Sequence, residues 1–529
     1  MVNTEREKLV NAISNPEKIW DIIVVGGGAT GLGTALDAAS RGYKTLLLEQ
    51  ADFAKGTSSR STKLVHGGVR YLAQGDIGLV CEALYERGLL LKNAAHLVKN
   101  ESFIIPNYNW WSGPFYTIGL TIYDLLAGKL SFGRSKHISK KETIRRLPGI
   151  SPKNLYGGVV YHDGQFDDSR LAINLAQTCL EQDATVLNYF QVTDLLKENK
   201  KIAGVIATDI ETGTLYNLKS KAVINATGVF VDDLLQKDEP HKKPLVKSSQ
   251  GIHIVVDKSF MPGDDAVMIP KTDDGRVLFV VPWHGKLLIG TTDTPLDEHS
   301  LEPVALEEEI DFVMRTISKY LTRAPERKDV RSIFAGLRPL AAPQEGSAKT
   351  KEISRSHKLI ISASGLITIT GGKWTTYRRM AQDTVEEAIK TASLSPRASV
   401  TKNLPVHGNK NNVDRNDHLY IYGSDRDALL QLINENPECG EKLHPAFEYT
   451  KAEVIWAVKH EMARTVEDVL ARRVRALFLD AQAAIEMAPI VAQLIATELK
   501  LNDDWIKKQV VAFTHIARKY LLIPLVDKG

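Results

Sequence analysis

The sequence predicts an α/β protein. We expect a Rossmann-like two-domain architecture for a dinucleotide, an antiparallel sheet in the substrate domain and a helical C-terminal domain. Three observations carry this. The apolar run Asp21-Ile22-Ile23-Val24-Val25 leads into Gly26-x-Gly28-x-x-Gly31 and a helix of small residues. Residues 245–335 read as alternating strands broken by turns such as Asp273-Asp274-Gly275. From 405 onward the apolar periodicity is helical.

The elements follow in chain order. The first 18 residues read as a short surface helix. Residues 21–25 are a strand buried on both faces, since such strands are continuously apolar. The small-residue helix runs through Ala39 and stops at Gly42, and Thr45-Leu46-Leu47-Leu48-Glu49 is the next strand. Ala222–Gly228, Lys358–Ser362 and Leu366–Thr370 are strand-like and join the same sheet. The dinucleotide domain is therefore discontinuous, over 20–100, 150–245 and 335–395. The substrate domain takes 101–149 and 246–334, with strands at Gly251–Val256, Arg276–Val281 and Lys286–Gly290. Residues 392–405 read as a linker, and 396–529 form the helical domain, with amphipathic helices over Lys451–Arg475 and Asp480–Leu499. Trp110–Leu130 is the most apolar surface candidate. It reads either as an internally packed helix or as a monotopic membrane contact with aromatic rings at headgroup depth.

Composition narrows the function classes. Of 529 residues, 43% are hydrophobic and 25% charged, the balance of an ordinary globular protein. A formal net charge of +3 and the lack of a basic tract argue against nucleic acid. No run reaches the roughly 18 apolar residues a spanning helix needs. Cys81, Cys179 and Cys439 are far apart, which excludes a zinc ribbon, and no metal site is expected. The N-terminal MVNTEREKLV has no secretory apolar core, so the expected compartment is the cytoplasm.

The glycine motif carries specific physics. Gly26 permits a tight turn, Gly28 lets the backbone approach a pyrophosphate, and Gly31 lets helix and strand pack closely. The helix N-terminus presents free N–H groups and a partial positive charge to phosphate. Glu49, 18 residues past Gly31, is placed to accept hydrogen bonds from a ribose. No second such motif follows a strand, so one dinucleotide is bound. Ala226-Thr227-Gly228 and Gly371-Gly372-Lys373 resemble parts of two-domain flavoproteins, in which a helix N-terminus faces the pyrimidine end of the flavin. The dinucleotide is then FAD.

The densest constellation is Gly56-Thr57-Ser58-Ser59-Arg60-Ser61-Thr62-Lys63-Leu64-Val65-His66-Gly67-Gly68-Val69-Arg70-Tyr71-Leu72. It resembles the T-S-S-x-S-x-K-L-x-H-G-G-x-R-Y-L run of the FAD-dependent glycerol-3-phosphate dehydrogenase family. The resemblance continues in order at Gly251–Val256, Pro282-Trp283, Ile289–Asp293, Ala335–Leu340, Gly371–Arg378 and His460–Asp468. It departs at Trp374, where members usually carry a small aliphatic residue, and at His284.

The resemblance implies oxidation of sn-glycerol 3-phosphate. Arg70 and Lys373 would clamp the phosphate or substrate oxygens. Arg338 would hold the C2 oxygen, His253 would be the preferred general base, and Tyr71 would donate a hydrogen bond. By position, FAD would be contacted by Gly26, Gly28, Gly31, Glu49, Thr57, Ser58, Lys63, His66, Gly228, Gly372 and Thr375. Electrons would pass to membrane quinone, with dioxygen as the alternative acceptor. An amine oxidase of the same fold is the competing substrate class. The absence of an oxidase insert and of a calcium-binding C-terminal extension implies a bacterial dehydrogenase. It would lie peripherally on the cytoplasmic face of the membrane, and a homodimer is one assembly expected of it.

Overall fold

A computed structural model describes residues 2–73, 75–273, 275–341 and 357–522, excepting the side chains of 2–5, 70, 73, 129 and 341. The first sheet is the dinucleotide-binding one. Ile19–Val25 lies between two parallel neighbours, Thr45–Glu49 and Leu215–Asn225. Thr185–Asn188 extends it beyond Thr45–Glu49, and Ile367–Thr370 beyond Leu215–Asn225. Lys358–Ile361 closes that end antiparallel. The expected strands at Ala222–Gly228, Lys358–Ser362 and Leu366–Thr370 are thus all in this sheet.

Alternate side chains explain the continuous apolar run. Ile22 and Val24 pack on one face beneath helices Ala29–Ser40, Asp168–Glu181 and Tyr377–Thr391. Ile23 and Val25 pack on the other with Leu195, Val205 and Leu234. The N-terminal helix, Val2–Ile13, is tied down by Arg6, which donates to Asn188 Oδ1 at 2.9 Å and pairs with Glu211.

The second sheet is larger. Val246–Asp257 is its spine. It pairs antiparallel with Val330–Ala341 on one edge and with Lys286–Gly290 and Thr294–Leu296 on the other. The order continues through Leu278–Trp283, Ala266–Ile269, Lys99–Asn107 and Gly157–Gln165. Three segments expected in the dinucleotide domain pair into this sheet instead: Leu64–Val65, Gly157–Gln165 and the second half of Val330–Ala341, from Ala335 on. Their apolar composition suits either sheet, so pairing partners far away in sequence decide their place.

The C-terminal helices Lys451–His460, Ala481–Leu499 and Asp503–Arg518 pack on this sheet through Val255, Val281, Leu288 and Phe334. The single helix expected over Lys451–Arg475 is broken. After His460 the backbone turns through Met462 at φ +57° and re-enters as a π-helical segment, Asp468–Arg473. The break aims three arginines inward. Arg472 and Arg473 donate to Asp52 at 2.5 and 2.8 Å, and Arg475 reaches Asp168 at 3.0 Å. Buried charges persist only when paired in this way.

This cluster predicts acid lability. Burial would raise the Asp52 carboxyl, but Arg473 and Arg472 hold it down to about 2. Burial likewise opposes Arg472 and Lys55 at Glu467, which also sits at about 2. Carboxylates depressed in the folded state stabilise it above their unfolded values, near 4, and that stability is lost as the pH falls towards 2. Together they contribute several kcal/mol, offset in part by Asp468, whose carboxyl is raised by burial and the Asp52 charge. The melting temperature should therefore drop steeply between pH 4.5 and 2, and Glu467→Gln should shrink that acid loss.

Candidate active site

The pyrophosphate end is built first. Gly26 has φ +108°, and a Cβ at Gly31 would stand 1.8 Å from the Gly26 carbonyl oxygen. At Gly28 a Cβ would meet only Ser58 Oγ, at 3.1 Å. Gly26 and Gly31 are thus constrained by turn and packing, while Gly28 is bounded only by the Ser58 hydroxyl, on the side where a phosphate needs backbone approach. Ser58 Oγ accepts from the Ala29 N–H at 2.9 Å and holds the Thr57–Ser59 turn against the helix N-terminus. Glu49 accepts from the N–H groups of Gly27 at 2.6 Å and Ala51 at 2.9 Å, and burial raises its carboxyl above the usual range. These bonds fix the carboxylate, and its remaining lone pairs can take a ribose hydroxyl. The residues present fit the adenosine and pyrophosphate of a dinucleotide.

The chemistry end is a cavity of about 330 Å³ where the two sheets meet. Its wall brings together Tyr71, His253, Arg338 and Lys373 with Thr57, His66, Gly372 and Thr375. Gly371 and Gly372, at φ +79° and +78°, turn the chain from strand Ile367–Thr370 into the helix at Tyr377. That turn delivers Lys373, whose Nζ stands 3.8 Å above the Tyr71 ring centroid. Thr375 Oγ1 accepts from the His66 N–H at 3.1 Å, and Thr57 Oγ1 donates to the Leu337 carbonyl at 2.6 Å. Trp374 departs from the family pattern, and its Nε1 donates to the Ser58 carbonyl at 2.9 Å, which ties the Gly371–Gly372 turn to the Thr57–Ser59 turn.

Arg338 projects from Val330–Ala341. Its guanidinium donates to the Thr292 carbonyl at 3.0 Å and Thr291 Oγ1 at 3.1 Å, with Asp293 at 3.5 Å. His253 lies on the paired strand and is buried. Its Nε2 is 3.0 Å from Thr62 Oγ1, and its ring stacks on Phe334 at 5.0 Å. Burial, then Lys63 and Arg338, push the imidazole well below its ordinary range, so it is neutral at physiological pH.

One expected contact stands differently. The Lys63 ammonium does not reach the cavity: it is buried against Asp168 at 2.7 Å and the Ser59 carbonyl at 2.6 Å, and burial lowers it to about 7. Lys63 sits in the left-handed backbone region, at φ +64°, with its side chain wholly inside the protein. His284, the other departure from the family pattern, does not line the cavity; it faces Asp167 at 3.4 Å beside Trp283. Gly228, at φ +66°, opens on space free of protein atoms within 4 Å. Arg70 lies on helix Val69–Ala73, and its side chain is outside the described residues. Residues not singled out from the sequence also matter, chiefly Thr62 and Asp168. Their only sequence signal is the hydroxyl-rich run and an Asp-Asp pair, since their partners are more than 100 residues away.

Gly251 shows how tightly Arg338 is seated. A Cβ there would lie 2.4 Å from Nη2 and 2.5 Å from Thr291 Oγ1. Those are mobile ends, so the fold should absorb Gly251→Ala by moving the guanidinium. We expect FAD content and melting temperature near wild type, with turnover down about 10²-fold, the usual cost of a displacement near 1 Å.

A two-layer site with an open glycine turn and a cationic cavity defines an FAD-dependent oxidoreductase, and the family described as "FAD dependent oxidoreductase" matches residues 21–378. The C-terminal domain of alpha-glycerophosphate oxidase matches 364–506. Mitochondrial glycerol-3-phosphate dehydrogenase from Homo sapiens is 39% identical over 98% of this chain and 75% of its own length. The Schizosaccharomyces pombe enzyme is 36% identical over 94% and 87%. The crystal structure of glycerol-3-phosphate dehydrogenase from Bacillus halodurans, complexed with FAD, superposes with a TM-score of 0.80 at 29% identity over 99% of both chains. Glycine oxidase from Bacillus cereus, at 18% identity and a TM-score of 0.52, shares the fold over 72% of this chain and 96% of its own. The chain belongs to the FAD-dependent glycerol-3-phosphate dehydrogenase family.

Proposed function

We propose that this protein oxidises sn-glycerol 3-phosphate at C2 to dihydroxyacetone phosphate and passes the electrons to a membrane quinone. The observation that carries the reading is the convergence of Arg338, Lys373 and a neutral His253 on one cavity at the cofactor turn. A small phospho-alcohol needs cations for its phosphate and a base for its hydroxyl, and the cavity supplies both.

Lys373 offers a point charge steadied over the Tyr71 ring. Arg338 offers a fork whose second edge is held by Thr291 and Thr292, so it is pre-aimed at oxygen on the substrate. His253 takes the C2 hydroxyl proton. The dianion's charge offsets the repulsion of Arg338 and Lys63 and raises the affinity of the imidazole for that proton. Arg338 stabilises the alkoxide that develops as the proton leaves. FAD, when bound, supplies the acceptor for the C2 hydrogen with its electron pair.

The acceptor side is read from the surface. Helix Ser112–Ala127 and the turn before it expose Trp110 (76%), Phe115 (59%) and Leu125 (74%), with Trp111, Ile118 and Ile122. The spacing places these on one face. An aromatic-aliphatic face of this kind suits the headgroup–acyl boundary. No helix among the described residues is long and apolar enough to cross a membrane. We place the helix in the lipid surface, where a quinone is accessible.

Anaerobic glycerol 3-phosphate should bleach the flavin, and a soluble quinone should restore its colour far faster than dioxygen. No bleaching overturns the substrate; equal recovery with dioxygen replaces the quinone with an oxidase reaction. The protein should sediment with anionic vesicles, and Phe115→Ser with Leu125→Ser should release it with flavin content unchanged. Sedimentation by the double variant overturns the helix assignment.

A further inference from the structure

We propose that the C-terminal domain positions the active-site imidazole, with Arg475 and Phe478 as positioning residues that act on His253 by separate routes. The inference rests on the reading of His253 as the base.

The polar route starts at Arg475, which is buried and has φ +65°. Its Nη2 donates to Asp168 Oδ1 at 3.0 Å and to the Ser59 carbonyl at 3.2 Å, and its Nη1 donates to Ser169 Oγ and to the Ala471 carbonyl. Asp168 Oδ2 accepts in turn from the Ser61 N–H at 3.1 Å, Ser61 Oγ at 2.7 Å and Lys63 Nζ at 2.7 Å. These bonds clamp the residues on both sides of Thr62, and Thr62 Oγ1 is the group at 3.0 Å from His253 Nε2. Both carboxylate oxygens of Asp168 and both terminal nitrogens of Arg475 are engaged, while Arg475 Nε stands 3.7 Å from Asp167, so the segment has little freedom to re-aim the hydroxyl.

The apolar route starts one turn on. The Phe478 ring meets Phe334 edge-on at 4.8 Å, and Phe334 stacks on the imidazole at 5.0 Å. The Arg475 guanidinium covers Phe478 at 4.6 Å, so the two routes share a base in the C-terminal domain. The imidazole is thereby held at an edge by Thr62 and at a face by Phe334, which together fix the orientation of the ring. Neither Arg475 nor Phe478 lines the cavity, so they reach the chemistry only through residues that do, and on both routes above that residue is His253.

The test is a set of double-mutant cycles on FAD-loaded full-length protein, read as the rate constant of anaerobic flavin reduction. Arg475→Lys and Phe478→Leu should each lower that rate constant about 10-fold or more with apparent substrate affinity changed less than about 2-fold. In a His253→Asn background each should have almost no further effect, because the group they orient is gone. Amide exchange at Ser61 should quicken in Arg475→Lys, independent of turnover. Equal losses in both backgrounds, or no loss in the wild-type background, overturn the proposal. If His253→Asn itself leaves the rate unchanged, the base assignment is what fails. Should Arg475→Lys not fold, Phe478→Leu decides by the same cycle, and Thr62→Val against Thr62→Ser tests the last link: only the valine should slow reduction.

Discussion

Arg338→Met should lower the rate of flavin reduction by glycerol 3-phosphate by about 10³-fold, with FAD still bound and the melting temperature within a few degrees of wild type. The guanidinium is held by Thr291, Thr292 and Asp293 on the strand and loop opposite. Its side chain is 26% exposed, so removal costs the fold little. Its chemical loss is large. Losing one preorganised donor to a developing oxyanion typically costs about 10²–10³ in turnover. Here the same group also carries a charge for a dianionic substrate, which adds a binding term. Arg338→Lys should fall between the two, since it restores charge without the planar fork. Stopped-flow reduction across substrate concentrations separates the terms: the methionine variant should lose in both the limiting rate and the half-saturation concentration, the lysine variant chiefly in the limiting rate. A methionine variant within ten-fold of wild type removes Arg338 from the reaction and leaves Lys373 as the cation to test next.

Much of this was legible in the sequence, for identifiable reasons. The strand–glycine–helix unit is largely local: the tightest contact of a Cβ at Gly31 is the Gly26 carbonyl oxygen, and Glu49 ends the next strand, while Ala226 against Gly26 and Ser58 against Gly28 come from outside it. His253 and Arg338 were placed by resemblance, and the register of their paired strands, which sets Ser249 opposite Arg338 and Phe334 opposite His253, brings them to one wall. What escaped depends on partners remote in sequence. Lys63 sits in a run rich in donors, but its charge is absorbed by Asp168, and nothing near Lys63 announces that pair. Thr62 looks like one hydroxyl among several until the fold sets it beside His253. The break between Lys451 and Arg475 contains neither glycine nor proline. Met462 takes a positive φ because the buried pairs of Glu461 with Arg170 and of Asp468 with Arg472 reward the turn. Tertiary pairing here overrides local helical preference.

Gly31→Ala and Gly28→Ala form the second contrast. At Gly31 a Cβ would stand 1.8 Å from the Gly26 carbonyl oxygen and 2.9 Å from its carbon, both backbone atoms of the turn. Neither can swing aside, so the helix Ala29–Ser40 must lift off the strand and carry its N-terminal N–H groups with it. The lift also loosens the packing of Leu32, Ala35 and Leu36 in the core beneath. Gly31→Ala should therefore lose both stability and flavin, with FAD affinity down by about 10³-fold, equivalent to roughly 4 kcal/mol. At Gly28 the Cβ would meet only the Ser58 hydroxyl, at 3.1 Å, so that side chain must give by a few tenths of an ångström while no backbone atom stands in the way. Gly28→Ala should fold with a nearly unchanged melting temperature in the apo form and yet bind FAD weakly, because the new methyl occupies the space into which a pyrophosphate must come. Flavin absorbance after desalting, set against melting of the apo proteins, reads both effects. If Gly28→Ala retains FAD like wild type, this turn is a packing device and the dinucleotide's phosphates lie elsewhere.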